Sequence, residues 1–263
     1  MKNSNLTIII VGYNEEINLP KCFSCLEYIR SELVCRLIYV DQSSNDKSVD
    51  IAKNNWCEVY IHPNKWYADP DKKRAVETLC KEDDWCMILD CDEEITKELA
   101  DKIVYLIQKD KKWYAYSVYR HTYWMGIVIA KTSQLRIFKK GAVSLGLTIH
   151  NYIKICKNAK HIQLKEVIKE VDLKYKWREI EFIISKLNQY STIEAEQLSD
   201  RKKYSLFSVL FYLFTKPIIR FFWILIVQLN FLKWIKWLLN SLFMSLYQIL
   251  IYSKIYEKIV KKK

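Results

Sequence analysis

Along the first hundred residues, short apolar runs alternate with helix-forming stretches, and each run ends in a polar cluster. Leu6–Val11, Arg36–Val40, Glu58–Ile61 and Trp85–Leu89 predict strands. Four helices are predicted between and after them. They are Ile17–Ile29 with Pro20 in its first turn, Asp46–Asn54 capped by Ser44 or Asn45, Asp71–Cys80, and Ile95–Gln108 capped by Thr96. This order predicts an α/β protein with a doubly wound, mostly parallel sheet and right-handed crossovers. Ligands of such sheets bind beyond the carboxyl ends of the strands. Tyr13-Asn14-Glu15, Asp41 to Asp46 and Asp90 to Glu94 all fall at that edge.

Beyond residue 110 the pattern changes. Trp113 to about Ile162 is rich in aromatic and β-branched residues and reads as extended segments closing one side of the site. Lys165 to Asp200 reads as helical and charged. From about 204 the chain is dense in Phe, Trp, Leu and Ile. The expected organisation is therefore 1–110, 111–165 as the acceptor side of the same domain, and a helical C-terminal region, 166–263.

Net charge bears on partners. The chain carries a formal +12, and residues 204–263 hold nine Lys or Arg against one acid. A basic excess placed in an apolar tail favours an anionic membrane surface over nucleic acid. The longest uncharged stretch there, Trp237–Ser253, is at the lower limit for a spanning helix. Helices lying in the interface fit better, with Trp223, Trp234 and Trp237 at headgroup level. A true span, or a helical subdomain packed on the core, are the alternatives. No secretory pattern opens the chain, because Met1 to Asn5 leads straight into the apolar run. The eight cysteines, Cys22-x-x-Cys25 included, are thus expected as reduced, ordinary thiols.

Asp90-Cys91-Asp92 ends an apolar strand. Carboxylates at i and i+2 on such a turn can share one hard dication, magnesium or manganese, with phosphate oxygens; an acidic turn capping the next helix is the plain alternative. Asp41 ends the second predicted strand, where a carboxylate accepts from a base N–H or a ribose hydroxyl, or else only shapes a turn. Tyr13 could stack on a base or be an ordinary loop residue. Lys72, Lys73 and Arg74 open a helix whose dipole disfavours cations, so a nearby anion would explain them; a solvated basic face would too.

These clusters together resemble family 2 glycosyltransferases, and within them the lipopolysaccharide core β-glucosyltransferases of the WaaE/KdtX and LgtF type. The segments that carry the likeness are I-I-I-V-G-Y-N-E-E-I-N-L-P (8–20), I-Y-V-D-Q-S-S-N-D-K-S-V-D-I-A (38–52), K-K-R-A (72–75) and D-D-W-C-M-I-L-D-C-D-E-E-I-T-K-E-L (83–99). L-R-I-F-K-K-G (135–141), I-H-N (149–151), K-L-N-Q-Y-S-T-I-E-A (186–195) and K-P-I-I-R-F-F (216–222) follow. The resemblance implies an A-type glycosyltransferase fold and an inverting transfer of a hexose, glucose favoured, from a nucleotide sugar, UDP-linked, to a lipopolysaccharide or lipooligosaccharide core or related surface glycan. It implies Asp41 at the base or ribose, Arg74 at the nucleotide or diphosphate, Asp90 at the ribose and metal side, and Asp92 as the main ligand of a divalent cation. Tyr13, Asn14 and Glu15 would line the nucleotide pocket.

The chain departs from that pattern in four places. Gly12 stands where Thr is usual, and Lys73-Arg74-Ala75 replaces Gln-Arg-Asn. His150-Asn151 replaces His-Glu, and Asn230 to Trp234 replaces Gly-Phe-Leu-Asp-Gly. Glu93, Glu94 and His150 are the candidates for the base an inverting transfer needs. The expected acceptor is a glycolipid or glycan, and the expected place is the cytoplasmic face of the inner (plasma) membrane, peripheral or interfacial. Two other readings are a polyprenyl-phosphate sugar transferase and a non-catalytic, membrane-bound member of the fold.

Overall fold

The computed structural model describes residues 5–64, 68–81, 84–109, 114–124, 127–145, 153–173, 179–227 and 234–261. Its elements in chain order begin with β1 (Asn5–Gly12), α1 (Leu19–Ser24), α2 (Glu27–Glu32), β2 (Val34–Asp41), α3 (Ser48–Asn54) and β3 (Glu58–Ile61). Then come α4 (Asp69–Leu79), β4 (Trp85–Asp90), β5 (Glu93–Ile95), α5 (Lys97–Gln108), β6 (Tyr114–Trp124) and β7 (Ile127–Lys139). The chain continues through β8 (Val143–Leu145), β9 (Ile153–Ile155), β10 (Lys160–Glu170), α6 (Glu179–Arg201), α7 (Leu206–Val227) and α8 (Trp234–Lys261).

β1 reads as a continuous apolar run because both of its faces are covered. Leu6, Ile8 and Ile10 join a core with Phe23, Leu26 and Ile29 of the α1–α2 region and Leu99 and Ile103 of α5. Ile9 and Val11 point the other way, onto Ala75 and Val76 of α4. β4 repeats the alternation, with Trp85, Met87 and Leu89 on the first face and Cys86 and Ile88 on the second. The sheet order is β3-β2-β1-β4-β7-β6-β10-β5. Its first four strands are parallel, and β7 runs antiparallel to β4. β8 and β9 form a separate antiparallel pair.

Two local expectations change. The single helix expected over Ile17–Ile29 is two. At the break the Leu26 N–H bonds Phe23 O (3.0 Å), three residues back, and this tighter turn carries Leu26 into the core. Residues 165–170, expected to be helical, are strand. Their helix-forming Lys and Glu residues are overridden by pairing of β10 with β6 and β5. Thr96 does cap α5, accepting from Leu99 N–H at 3.3 Å.

The chain divides into two units, residues 1–123 with 130–174, and residues 124–129 with 175–263. In the second, Ala195 of α6, Val209 of α7 and Ile251, Tyr252 and Ile255 of α8 form a small buried core. Lys254 Nζ bonds Ser191 Oγ (2.8 Å) and Thr192 Oγ1 (2.7 Å), fastening α8 to α6. Among the described residues, the helix long and apolar enough to cross a membrane, by length and composition alone, is Leu206–Ile226. The sequence points instead to Trp237–Ser253; Lys216 and Arg220 interrupt the longer run without removing its apolar character.

Candidate active site

Gly12, Asp41 and Asp90 end three adjacent parallel strands. Gly12 lies level with Asp41 of β2, and Val11 with Asp90 of β4. Two strand spacings therefore separate the carboxylate-bearing residues, roughly 10 Å. Gly12 between them has no space for a side chain. A Cβ there would lie 2.6 Å from Cys91 Sγ and 2.7 Å from Glu15 Cγ. The Gly that departs from the family's Thr is thus matched to its neighbours.

The loop after β1 is stitched to the loop after β2. Asn14 N–H donates to Ser44 Oγ (2.8 Å), and Asn45 N–H donates to Asn14 Oδ1 (2.9 Å). Glu15 N–H donates to Ser48 Oγ (2.6 Å), and Glu16 N–H to Asp46 Oδ2 (3.0 Å). Asn14 and Ser43 hold φ of 53° and 60°, the left-handed turns that make this pairing possible. Asn14 is therefore a loop clamp. Tyr13 is 37% exposed on the same loop, its ring partly open to solvent. Glu15 accepts from Asn18 Nδ2 at 2.8 Å.

Asp41 is 1% exposed. Its Oδ2 accepts from Ser44 N–H (2.8 Å), whereas its Oδ1 is buried with no hydrogen-bond partner among the described residues. An unpaired buried acceptor is costly, and a donor N–H or hydroxyl would relieve it. Next to it, Gln42 Nε2 donates to Asp71 Oδ2 (2.6 Å), and His62 Nδ1 lies 3.0 Å from Asp71 Oδ1. These contacts fix the start of α4 against the residues that follow β2 and β3.

Asp90 is the centre of a charge cluster. Lys72 of α4 pairs with its Oδ1, and Arg136 of β7 lies 3.0 Å from Oδ2. Arg120 of β6 is 3.9 Å from Oδ2 and 3.5 Å from Glu170 of β10. Arg136 also pairs with Glu93, whose Oε2 accepts from Asp90 N–H at 2.9 Å. Burial alone would raise the Asp90 pKa; Lys72 and Arg136 outweigh it and hold the carboxyl well below the usual range. Burial dominates at Glu93 and pushes its carboxyl up to about 7, with Arg136 opposing. Asp92 is half-buried two residues on, its carbonyl accepting from Val171 N–H at 2.8 Å.

Tyr13, Asn14, Glu15, Asp41, Asp90 and Asp92 thus share one edge of the sheet, as expected. Arg74 does not meet Asp90; it is exposed on α4, and Lys72 is the residue of that helix that does. Glu93, a base candidate, is 0% exposed with both oxygens engaged, out of reach of an acceptor hydroxyl. Glu94 is half-buried, 3.9 Å from Lys21. His150 and Asn151 lie outside the described residues. Arg120, Arg136 and Glu170 were not singled out from sequence. The available signal was Arg136 set between Leu135 and Ile137 in a strand-like run.

Comparison with known proteins gives this edge its class. The chain matches glycosyl transferase family 2 over residues 7–167, more than half its length, and it belongs to that family. An uncharacterized glycosyltransferase of Rickettsia bellii is 27% identical over 209 residues, covering 75% of this chain and 69% of the relative. One from Rickettsia conorii is 25% identical over 270 residues, covering 98% and 92%. Among solved structures, S. aureus TarS residues 1–349 gives a TM-score of 0.47 at 11% identity, covering 98% of this chain and 92% of that one. A mannosyltransferase from Pyrobaculum calidifontis, in complex with GDP-Man and Mn2+, gives 0.45 at 12% identity, covering 97% and 86%. The protein is a glycosyltransferase with an A-type glycosyltransferase fold.

Proposed function

We propose that this protein is an inverting hexosyltransferase that takes glucose from a UDP-linked donor. Its acceptor is a lipopolysaccharide or lipooligosaccharide core, or a related surface glycan carried on lipid. The observation that supports this reading most is the buried, unpartnered Oδ1 of Asp41 at the carboxyl end of β2, one strand from Gly12 and two from Asp90. A base N–H or ribose hydroxyl satisfies that acceptor, and the diphosphate then lies toward Asp90 and Asp92.

A magnesium or manganese ion fits the residues present. Among the described residues no cluster of three or more metal-ligating side chains occurs. Magnesium sites of this chemistry use one or two carboxylates with substrate phosphates and water, rather than an all-protein cage. Asp92, with Asp90, would supply the carboxylates, and the bound ion would neutralise charge developing on the departing nucleoside diphosphate. Arg120 and Arg136 set the orientation of Asp90, and Lys72 and Arg136 keep it ionised. Glu94 and His150 are the remaining base candidates.

The second unit supports the lipid side of the reading. α7 leaves Phe214, Ile218, Phe222 and Trp223 exposed beside Lys216 and Arg220, which suits an anionic leaflet on the cytoplasmic side. The same helix favours one alternative, transfer to a polyprenyl phosphate. Incubation with UDP-, GDP- and dTDP-sugars, Mn2+ and membranes, followed by product analysis, separates these outcomes. A lipid-linked product with a single phosphate supports the alternative. Failure to turn over any nucleotide sugar rejects both.

A further inference from the structure

Lys72 sits where an ordinary lysine would not. It lies in the first turn of α4, where the helix dipole disfavours a cation, and its side chain is only 9% exposed. A buried ammonium needs compensation, and Asp90 Oδ1 supplies an anionic partner. The other oxygen of Asp90 is held differently. Arg136 and Arg120 approach Oδ2, and both are anchored on sheet strands by further carboxylates, Glu93 for both and Glu170 for Arg120. One oxygen is thus fixed by planar forks rooted in β6 and β7. The other is met by a flexible four-carbon stem entering from a helix. An ammonium within hydrogen-bond distance of Oδ1 opposes a dication at the same oxygen, because like charges at such range repel.

We propose that Lys72 is the exchangeable counter-cation of the donor site. It neutralises Asp90 in the donor-free protein, yields that carboxylate to a divalent cation, and pairs with the diphosphate of the arriving donor. This rests on the reading of the crevice as a nucleotide-sugar site. Metal alone then binds weakly, since it must displace Lys72. Metal and nucleoside diphosphate strengthen each other, because the released ammonium gains an anion, and the coupling is reciprocal. Gln42 and His62 hold Asp71, and with it the start of α4, from which Lys72 reaches Asp90.

The test uses the full chain with Lys72→Met and Lys72→Gln. Mn2+ alone is titrated by the electron paramagnetic resonance signal of the free ion. UDP is titrated by calorimetry in EDTA and again with saturating Mn2+. Both variants are expected to bind Mn2+ alone at least tenfold tighter than wild type, and UDP in EDTA at least tenfold weaker. Wild type is expected to show stronger mutual tightening than the variants, in which only the direct attraction between metal and diphosphate remains. A salt bridge with only a structural role would lower the melting temperature and leave Mn2+ affinity unchanged or weaker, which overturns the proposal. Lys72→Gln keeps a hydrogen-bonding group at Asp90 and serves if Lys72→Met does not fold. If wild type binds no UDP under any condition, the reading of the crevice fails first; if it binds UDP and the variants match it, only the role of Lys72 fails.

Discussion

In the sheet-containing unit Ile8, Ile10, Trp85 and Met87 are fully enclosed, whereas on α7 Phe207, Phe214 and Trp223 stand 81%, 69% and 62% exposed. The two regions draw on similar residue types. The first covers its apolar surface itself, with helices on both faces of the sheet, and confines its polar groups to one edge. The second closes a core at Ala195, Val209 and Ile251 but leaves most of one helix face bare. Large exposed apolar patches on a folded chain mark a surface for another phase or partner. On the proposed function, the chemistry and the placement of the protein would be carried by different stretches of chain, and each could be broken alone.

The largest expected effect on activity is on transfer. Asp92→Asn replaces a carboxylate by a poor ligand for a hard dication, so turnover with Mn2+ should fall on the order of 100-fold. Circular dichroism should show an unchanged fold, since Asp92 is on a loop and half-buried. Next is Arg136→Met, which strands Glu93 and Asp90 without their buried cation. A loss of about 3–5 kcal/mol in urea unfolding is expected. Gly12→Ala forces a methyl against Cys91 and Glu15 and should cost about 1–3 kcal/mol. Cys91→Ala in the same chain should recover part of it, a coupling that a double-mutant cycle reads. All three variants should keep wild-type affinity for anionic vesicles. The converse test is Phe214→Asp with Trp223→Asp. Sedimentation with anionic vesicles should weaken about tenfold, on the order of 1.4 kcal/mol, while UDP affinity stays as in wild type.

Legibility in the sequence follows from locality. β1, β2 and β4 are readable because a strand buried on both faces is apolar at every position, and Asp41 and Asp90 stand at the ends of two such runs. Thr96 as a cap is readable for the same local reason. β10 is not, because Lys165, Glu166 and Lys169 favour helix, and only the pairing of residues 160–163 and 167–170 with β6, more than 45 residues away in sequence, draws the segment into a strand. β5 is three residues long and exists only through β10. The charge cluster fails to show for a related reason. Lys72, Arg120 and Arg136 come from α4, β6 and β7, and no spacing in the chain announces that they meet. Arg74 looked like the site cation by its match to a family segment; helix phase puts it outside and Lys72 inside.

The direct measurement is the affinity of UDP for wild type and for Asp41→Ala, by calorimetry at fixed salt with Mn2+ present. Asp41 offers a buried acceptor without a partner at the expected nucleoside position, and a hydrogen bond to a charged group contributes roughly 1.5–3 kcal/mol. The variant should therefore bind UDP about 10- to 150-fold more weakly, while circular dichroism in the absence of nucleotide shows an intact fold. Equal affinities for the two proteins would mean that the edge built from β1, β2 and β4 is not where the nucleotide binds.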